Sequence, residues 1–126
     1  SGFFLCQTVE QYFRNNKNIT FDCSMSHRKY YLYFNNLIGL SHGDGAKQLD
    51  LPILMAHESK DWSNSKHRYI YTHHLHHKMA KDVMSVCIEG MRSSSGTDSW
   101  QHAPKAIEGF LHHKEQGQVC RLMHLF

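Results

Sequence analysis

The chain has 126 residues, with a hydrophobic content of 40% and a charged content of 20%, as is typical of a globular domain. Its net charge of +3 is mild, so it permits an acidic partner without requiring one. No apolar run approaches the length of a bilayer span, so we expect no membrane partner and a cytoplasmic location. The twelve histidines are the outlier in this composition.

The cysteines are far apart and form no C-x-x-C pair, which excludes a zinc knuckle and a common redox motif. Two disulfides are one alternative for an even number of cysteines. Three of the four lie in apolar, strand-like or helix-like settings, so we expect buried free thiols in a reducing compartment. The four residues are Cys6, Cys23, Cys87 and Cys120.

The first third of the chain predicts a helix followed by a hairpin. Apolar residues at helical spacing predict the helix over 3–14. A short strand is predicted over 19–21, and alternating residues predict a longer strand over 28–34. Asn35 and Asn36 are a turn signal, so the strand over 28–34 and the apolar strand over 37–41 should form a hairpin.

The strand over 37–41 runs directly into His42-Gly43-Asp44-Gly45. Glycine allows the backbone to turn sharply and to approach a ligand closely. Open α/β sheets bind ligands at the carboxyl ends of their strands, so His42 is a candidate ligand-binding residue. The alternative is a turn histidine whose ring is satisfied by the backbone.

The middle of the chain predicts a helix over 47–58, with Pro52 at its first turn, and then a polar loop over 61–66. A β-branched and aromatic strand over 68–72 follows, and it leads into a run of histidines. If the backbone stays extended, His74 and His76 point to the same side. Paired imidazoles suit Zn, Mn, Fe and Ni. The alternative is an exposed polar loop that is rich in histidine.

The last third predicts a strand over 85–91, a loop of small hydroxyl residues over 93–100, a helix over 103–116 and a strand over 119–126. The loop is either a flexible linker or a segment that orders substrate. Pro104 near the start and Gly117 as the stop support the helix. His112 and His113 on this helix are interpreted as solvated residues.

Two motifs together resemble those of calcineurin-like metallophosphoesterases. Gly39-Leu40-Ser41-His42-Gly43-Asp44 resembles the His-Gly-Asp/His motif of that family. Thr72-His73-His74-Leu75-His76 resembles its closing Gly-His-x-His motif, in the same order, and each motif lies at the end of a strand. The stretches 95–100 and 103–106 are similar to phage-type and prophage-type members, which include DNA-repair exonucleases.

The resemblance implies an α/β (α+β) fold, part of a four-layer metallophosphoesterase sandwich in which helices flank mixed β-sheets. Residues 1–126 would be a single domain or the C-terminal portion of such a domain. The implied activity is hydrolysis of a phosphate ester, DNA included, at a two-metal site. His42 and His74 would ligate one metal and His76 the other, which makes these the candidate catalytic and metal residues. Mn is the expected metal, with Zn, Fe and Ni as alternatives.

The chain departs from the family upstream of His42. The motifs Asp-x-His, Gly-Asp-x-x-Asp and Gly-Asn-His-Asp/Glu are absent, and the preceding 41 residues contain only Glu10 and Asp22 as carboxylates. We therefore expect the chain alone to be inactive. An N-terminal half that supplies the missing carboxylates is one expected partner, and a second copy of the chain is another.

A function of a different class is a metal-binding or nucleic-acid-binding module without catalysis. The strand over 28–34 is basic and aromatic, a composition that can stack bases. The plainer interpretation is an ordinary strand with half-buried tyrosines. The residues concerned are Arg28, Lys29, Tyr30, Tyr31 and Tyr33.

Overall fold

The structure, a computed structural model, describes residues 2–41, 47–72, 79–90 and 106–125. These ranges contain two α-helices, a short 3₁₀ turn and seven strands. In chain order the elements are α1 (Gly2–Tyr12), β1 (Arg28–Tyr33), β2 (Asn36–Ser41), the 3₁₀ turn (Gln48–Asp50), α2 (Leu51–Glu58), β3 (His67–Thr72), β4 (Met79–Val83), β5 (Val86–Gly90), β6 (Ala106–His113) and β7 (Gly117–Leu125).

The strands form a mixed five-stranded sheet in the order β1-β2-β3-β5-β4 and a separate two-stranded sheet of β6 and β7. Strands β2, β3 and β5 are parallel, while β1 and β4 pair antiparallel at the two edges. The β4–β5 hairpin turns through Met84 and Ser85, whose φ angles of 51° and 63° fit a two-residue hairpin turn. The mixed sheet agrees with the fold class expected from the sequence.

One face of the large sheet is covered by α2. Pro52 lies in the first turn of this helix, as predicted. Aliphatic side chains of α2 pack against those of the parallel strands in one buried cluster. Burying each such side chain contributes roughly 1.5–3 kcal/mol relative to leaving it exposed. The buried cluster consists of Leu37, Leu51, Met55, Ile70, Val86 and Ile88.

The opposite face of the large sheet is partly covered by the β6–β7 hairpin. Phe110 lies with its ring centre 4.3 Å from that of Tyr71 on β3. The backbone nitrogen of Asn35 donates to the carbonyl of Lys114, so the hairpin turn is also bound to the β1–β2 turn. The structure therefore places α2 and the hairpin on opposite sides of the sheet.

Most predicted elements are confirmed, but three features differ. Residues 19–21 are not a strand, and β4 was not predicted at all. The predicted helix over 103–116 is wrong where the structure describes it, because residues 106–113 form β6. Their burial alternates strictly, with Ala106 buried and Ile107 exposed, since only every second side chain faces the large sheet.

The expectation of four free thiols is also wrong. Cys6 of α1 forms a disulfide with Cys23, whereas Cys87 and Cys120 are free. The pairing brings α1 to the segment before β1, a proximity that sequence spacing alone does not reveal. Within the described ranges, no helix is long and apolar enough to cross a membrane.

Candidate functional site

The parallel strands of the large sheet end side by side. Ser41, the last residue of β2, is the register partner of Thr72, the last residue of β3. Thr72 is in turn the register partner of Gly90 at the end of β5. Neighbouring strands lie about 4.8 Å apart, so the chain leaves β2 and β3 from adjacent positions on one edge.

The predicted ligand residues follow these strand ends directly in the sequence. His42 comes after Ser41, and the run that contains His74 and His76 comes after Thr72. All three histidines lie outside the described residues, so their side-chain positions stay predictions. The structure nevertheless brings together the two points from which both histidine segments start.

The hydroxyl of Thr72 marks this edge as polar. The side chain is 2% exposed, and its Oγ1 has no hydrogen-bond partner among the described residues. A buried hydroxyl without a partner costs about 1–3 kcal/mol, so this position favours a polar group beside it. An ion held by imidazole ligands and its coordinated water fits such an edge.

Carboxylate ligands are missing from the described part of this edge. Within the described ranges, no group of three or more His, Cys, Asp or Glu residues is arranged to hold a metal ion. Glu89 is buried near the end of β5, but its oxygens are engaged by Gln118 at 2.7 Å and by Arg121 at 3.6 Å. It pairs in register with Tyr71 and thus lies on the hairpin side of the sheet, opposite to Thr72.

The hairpin side of the sheet carries a polar network that sequence reasoning missed. Nε2 of His112 lies 2.7 Å from the hydroxyl of Tyr71, and Nδ1 lies 3.3 Å from Oδ1 of Asn36. The amide of Gln118 donates to the Tyr71 hydroxyl at 2.9 Å. His112 was predicted as a solvated residue on a helix; it is instead part of β6 and faces the sheet.

Burial sets the protonation states in this network. Desolvation raises the pKa of Tyr71 well above its ordinary value. It also lowers the pKa of His112, although the carboxylate of Glu89 acts in the opposite direction. Both shifts favour the neutral forms near pH 7, in which these groups hydrogen-bond between the hairpin and the sheet.

The cation of this network is Arg121 of β7, whose side chain is partly buried. Its guanidinium donates to Glu108 at 3.0 Å and to the carbonyl of Gly90 at 3.3 Å, and it lies 5.2 Å from the ring centre of Phe110. With Glu89 on its other side, this cation is held between two carboxylates. A buried carboxylate needs such a partner, so these groups fix the hairpin on the sheet.

The basic and aromatic side chains of strand β1 point to both faces of the sheet. Arg28 and Tyr30 point toward α2, where both bind Glu58, at 2.8 Å from the Arg28 Nε and at 2.6 Å from the Tyr30 hydroxyl. Lys29, on the other face, donates to the backbone carbonyl of Asp22 at 2.6 Å. Tyr31, also on that face, is 64% exposed. The predicted five-residue surface is thus reduced to two exposed tyrosines, Tyr31 and Tyr33, and a paired lysine on one face.

An open pocket of about 470 Å³ lies at the N-terminal segment and not at the strand ends. Its lining includes the disulfide partners Cys6 and Cys23, together with Met25, His27 and Lys29. The pocket therefore does not coincide with the edge from which the histidine segments start.

Comparison with known proteins finds similarity to a solved structure. No protein-family model and no curated protein matches the chain. Among solved structures, a single mutant of Vps29 from Entamoeba histolytica is similar, with a TM-score of 0.55 and 17% sequence identity. The match covers 82% of this chain and 62% of Vps29, so the chain spans less than two thirds of that protein's length. At this identity the likeness shows the fold alone, which is a mixed α/β fold of the calcineurin-like metallophosphoesterase type found in Vps29.

Proposed function

We propose that this chain supplies the histidine ligands of a two-metal phosphoesterase site at the carboxyl ends of β2 and β3. The observation that carries the proposal is the register between Ser41 and Thr72, because both histidine segments start from this pair. The metallophosphoesterase-like fold supports the same assignment. His42 and His74 are proposed as ligands of one ion and His76 as a ligand of the other.

The proposed roles of the metal ions and of the chain follow from the chemistry of the histidine ligands. Bound divalent ions would supply charge stabilisation for the phosphoryl group and an acidic water near neutral pH. The chain would hold the ions through neutral imidazole nitrogens, so metal affinity should fall once the pH drops below about 6.5. Mn is the proposed metal, with Zn, Fe and Ni as alternatives, since imidazole suits all of them.

The substrate proposal comes from the net charge of the chain, and the partner proposal comes from its missing carboxylate ligands. A phosphodiester, with DNA as the leading candidate, is compatible with the net charge of +3. Carboxylate ligands are absent from the described part of the edge, so we propose that an N-terminal half supplies them and that the chain alone does not turn over substrate. The cytoplasm is the proposed location of this reaction.

Metal binding is the direct test, because it does not require the missing carboxylates. We expect Mn to bind the chain in isothermal titration calorimetry. His42→Ala, His74→Ala and His76→Ala should each weaken binding by more than about tenfold, since even residues behind the first ligand shell are worth 10–100-fold. His57→Ala removes an exposed imidazole from α2 and is the matched control. Unchanged affinity in all three ligand variants would contradict the proposal.

The catalytic part of the proposal needs a separate assay. A form that also contains the carboxylate ligands should cleave a generic phosphodiester such as bis(4-nitrophenyl) phosphate when Mn is added. His76→Ala should abolish this turnover. Equal turnover with and without that substitution would show that the hydrolytic site lies elsewhere.

A nucleic-acid-binding module without catalysis is the second candidate, and the exposed ring of Tyr31 favours it. Base stacking on such a ring is worth about 1–3 kcal/mol per base. Fluorescence anisotropy with a single-stranded oligonucleotide tests this function. Metal-independent binding that weakens with salt and is lost in Tyr31→Ala would support it.

A further inference from the structure

The helix α1 lies outside the hydrophobic core of the described part of the chain. The buried cluster that joins α2 to the parallel strands contains no residue of α1. Three large side chains of α1 are instead mostly exposed among the described residues, so burial contributes little to holding this helix in place. The three residues, with their exposed fractions, are Phe4 (67%), Leu5 (65%) and Tyr12 (81%).

The helix α1 is also short and weakly stabilised by its own sequence. It has 11 residues, and isolated helices shorter than about 12–15 residues are marginal in water. Its first turn contains no acidic residue and its last turn contains no basic residue, so neither end has a charge that complements the helix dipole. The position of α1 must therefore depend on its links to the rest of the chain.

Two such links reach the segment before β1. The disulfide joins Cys6, in the middle of α1, to Cys23. Just after the last residue of α1, the ring of Phe13 stacks on that of Phe21, with 6.3 Å between the ring centres. The stacked rings hold only the C-terminal end of the helix. In the described part of the chain, the disulfide is therefore the main restraint on the rest of α1.

The disulfide lies where a small molecule can reach it from the described surface. Both cysteines are only partly buried, and both line the open pocket of about 470 Å³ at the N-terminal segment. Thiol–disulfide exchange requires that the attacking thiolate reach one of the two sulfur atoms. The pocket gives a small thiol such a path.

The compartment decides how a disulfide of this kind behaves. In the cytoplasm, the location proposed above, glutathione keeps most thiols reduced, and disulfides there are usually transient or redox-sensing. An exposed disulfide is also more easily reduced than a structural one. The link between Cys6 and Cys23 is therefore suited to being opened and closed again.

We propose that the disulfide between Cys6 and Cys23 is a reversible redox tether, which holds α1 on the segment before β1 in the oxidised chain and releases it in the reduced chain while the large sheet stays folded. The pocket should exist only in the oxidised chain, because Phe3 and Cys6 of α1 form part of its lining and Cys23 and Met25 another part. The proposal uses the cytoplasmic location but is independent of the metal chemistry proposed above.

The proposed reductant is a small thiol of the glutathione class. Its thiolate attacks one sulfur of the disulfide, so that a new S–S bond forms as the old one breaks and the other cysteine leaves as a thiolate and takes a proton from water. A second molecule of the thiol attacks the mixed disulfide and releases the remaining cysteine. The reductant is thereby oxidised to its own disulfide, and Cys6 and Cys23 both become thiols.

Reduction of the folded chain is the first test. The full chain is incubated with reduced glutathione in the absence of denaturant, its thiols are alkylated with N-ethylmaleimide, and the modified peptides are identified by mass spectrometry. We expect Cys6 and Cys23 to be alkylated only after glutathione has been added, and oxidised glutathione to restore the link. A disulfide that opens only in urea would overturn the proposal.

Hydrogen exchange separates a local tether from a crosslink that stabilises the whole fold. The amides of α1 should exchange at least about tenfold faster after reduction, while those of β3 stay protected. The double variant Cys6→Ser with Cys23→Ser should show the fast rate with or without glutathione. Cys120→Ser removes a free thiol, keeps the link and should respond as the parent chain does. Unchanged exchange in α1 after complete reduction would overturn the proposal, and so would a loss of protection in β3.

Discussion

The hydroxyl of Tyr71 lies 2.7 Å from Nε2 of His112, and this hydrogen bond joins the central strand β3 to the β6–β7 hairpin. Nδ1 of the same ring lies 3.3 Å from Oδ1 of Asn36, whose amide nitrogen donates to two backbone carbonyls. Because Oδ1 can only accept, Nδ1 of the ring donates and Nε2 accepts from Tyr71. These two bonds fit a neutral His112 whose proton is on Nδ1, and burial favours the neutral form.

We expect the free energy of unfolding to fall as the solution is acidified from pH 7 to pH 5. Burial lowers the folded-state pKa of His112 below its ordinary value of 6.5, so the folded protein binds fewer protons than the unfolded one. The stabilisation is complete above pH 6.5 and is lost as the pH falls toward the folded-state pKa. Urea unfolding at a series of pH values measures this slope.

His112→Gln is the control for that experiment, because it removes the titrating ring and leaves the other histidines in place. Its free energy of unfolding should depend less steeply on pH over the same window. At pH 7 we expect it to be about 1–3 kcal/mol less stable, since Tyr71 and Asn36 lose their partner. Parallel slopes for the two proteins would exclude His112 as the origin.

Gly117 is expected to tolerate no side chain. Its φ is +87°, and an added Cβ would meet the hydroxyl of Tyr69 and the ring of His67. Gly117→Ala should therefore cost about 1–3 kcal/mol in thermal or chemical unfolding. Gly109→Ala is the matched control in the same hairpin and should change stability by less than about 0.5 kcal/mol. Equal effects of the two substitutions would contradict this account.

The ion pair between Arg28 and Glu58 should stabilise the folded chain at neutral pH and lose this effect in strong acid. Two hydrogen bonds from Arg28, at 2.8 and 2.9 Å, and one from Tyr30 lower the pKa of Glu58 to about 2. The stabilisation is present above pH 4.5, the ordinary pKa, and is lost as the pH falls through about 2. Glu58→Gln should reduce stability at pH 7 by less than about 1 kcal/mol, because the pair is partly exposed.

The acid dependence of that pair can be read from melting temperatures of the two proteins between pH 5 and pH 2. The difference between the parent chain and Glu58→Gln should shrink toward the acid end. A difference that stays constant across this range would mean that Glu58 is not the group that titrates.

The disulfide between Cys6 and Cys23 predicts how many thiols react before and after reduction. Titration of the unfolded, unreduced chain with a thiol reagent should find two reactive thiols, from Cys87 and Cys120, and reduction should raise the number to four. The link closes a separation of 17 residues and ties α1 to the segment before β1. Cys23→Ser should therefore speed amide hydrogen exchange in α1 while the β3 amides stay protected. Four thiols before reduction would rule out the link.

Local sequence patterns were sufficient for the elements whose signals lie within a few residues. The hairpin of β1 and β2 follows from alternation and the asparagine turn, and α2 follows from Pro52 at its first turn. The order of the two histidine motifs, each after a strand, is also a property of the sequence alone. These features can be predicted from neighbouring residues alone, because backbone steric preference and the period of side-chain direction are local properties.

Only the tertiary structure decided how distant segments pair. The apolar spacing of residues 106–113 predicted a helix, but the packing of Phe110 and His112 against Tyr71 holds them as a strand. The same packing makes His112 a partly buried residue whose pKa is lowered by desolvation, and the chain path alone brings Cys6 to Cys23. The register of Ser41 with Thr72, on which the proposed metal site depends, is likewise a contact between residues 31 positions apart. Such contacts depend on which faces remain to be buried once the local elements have formed, and that information is spread over the whole chain.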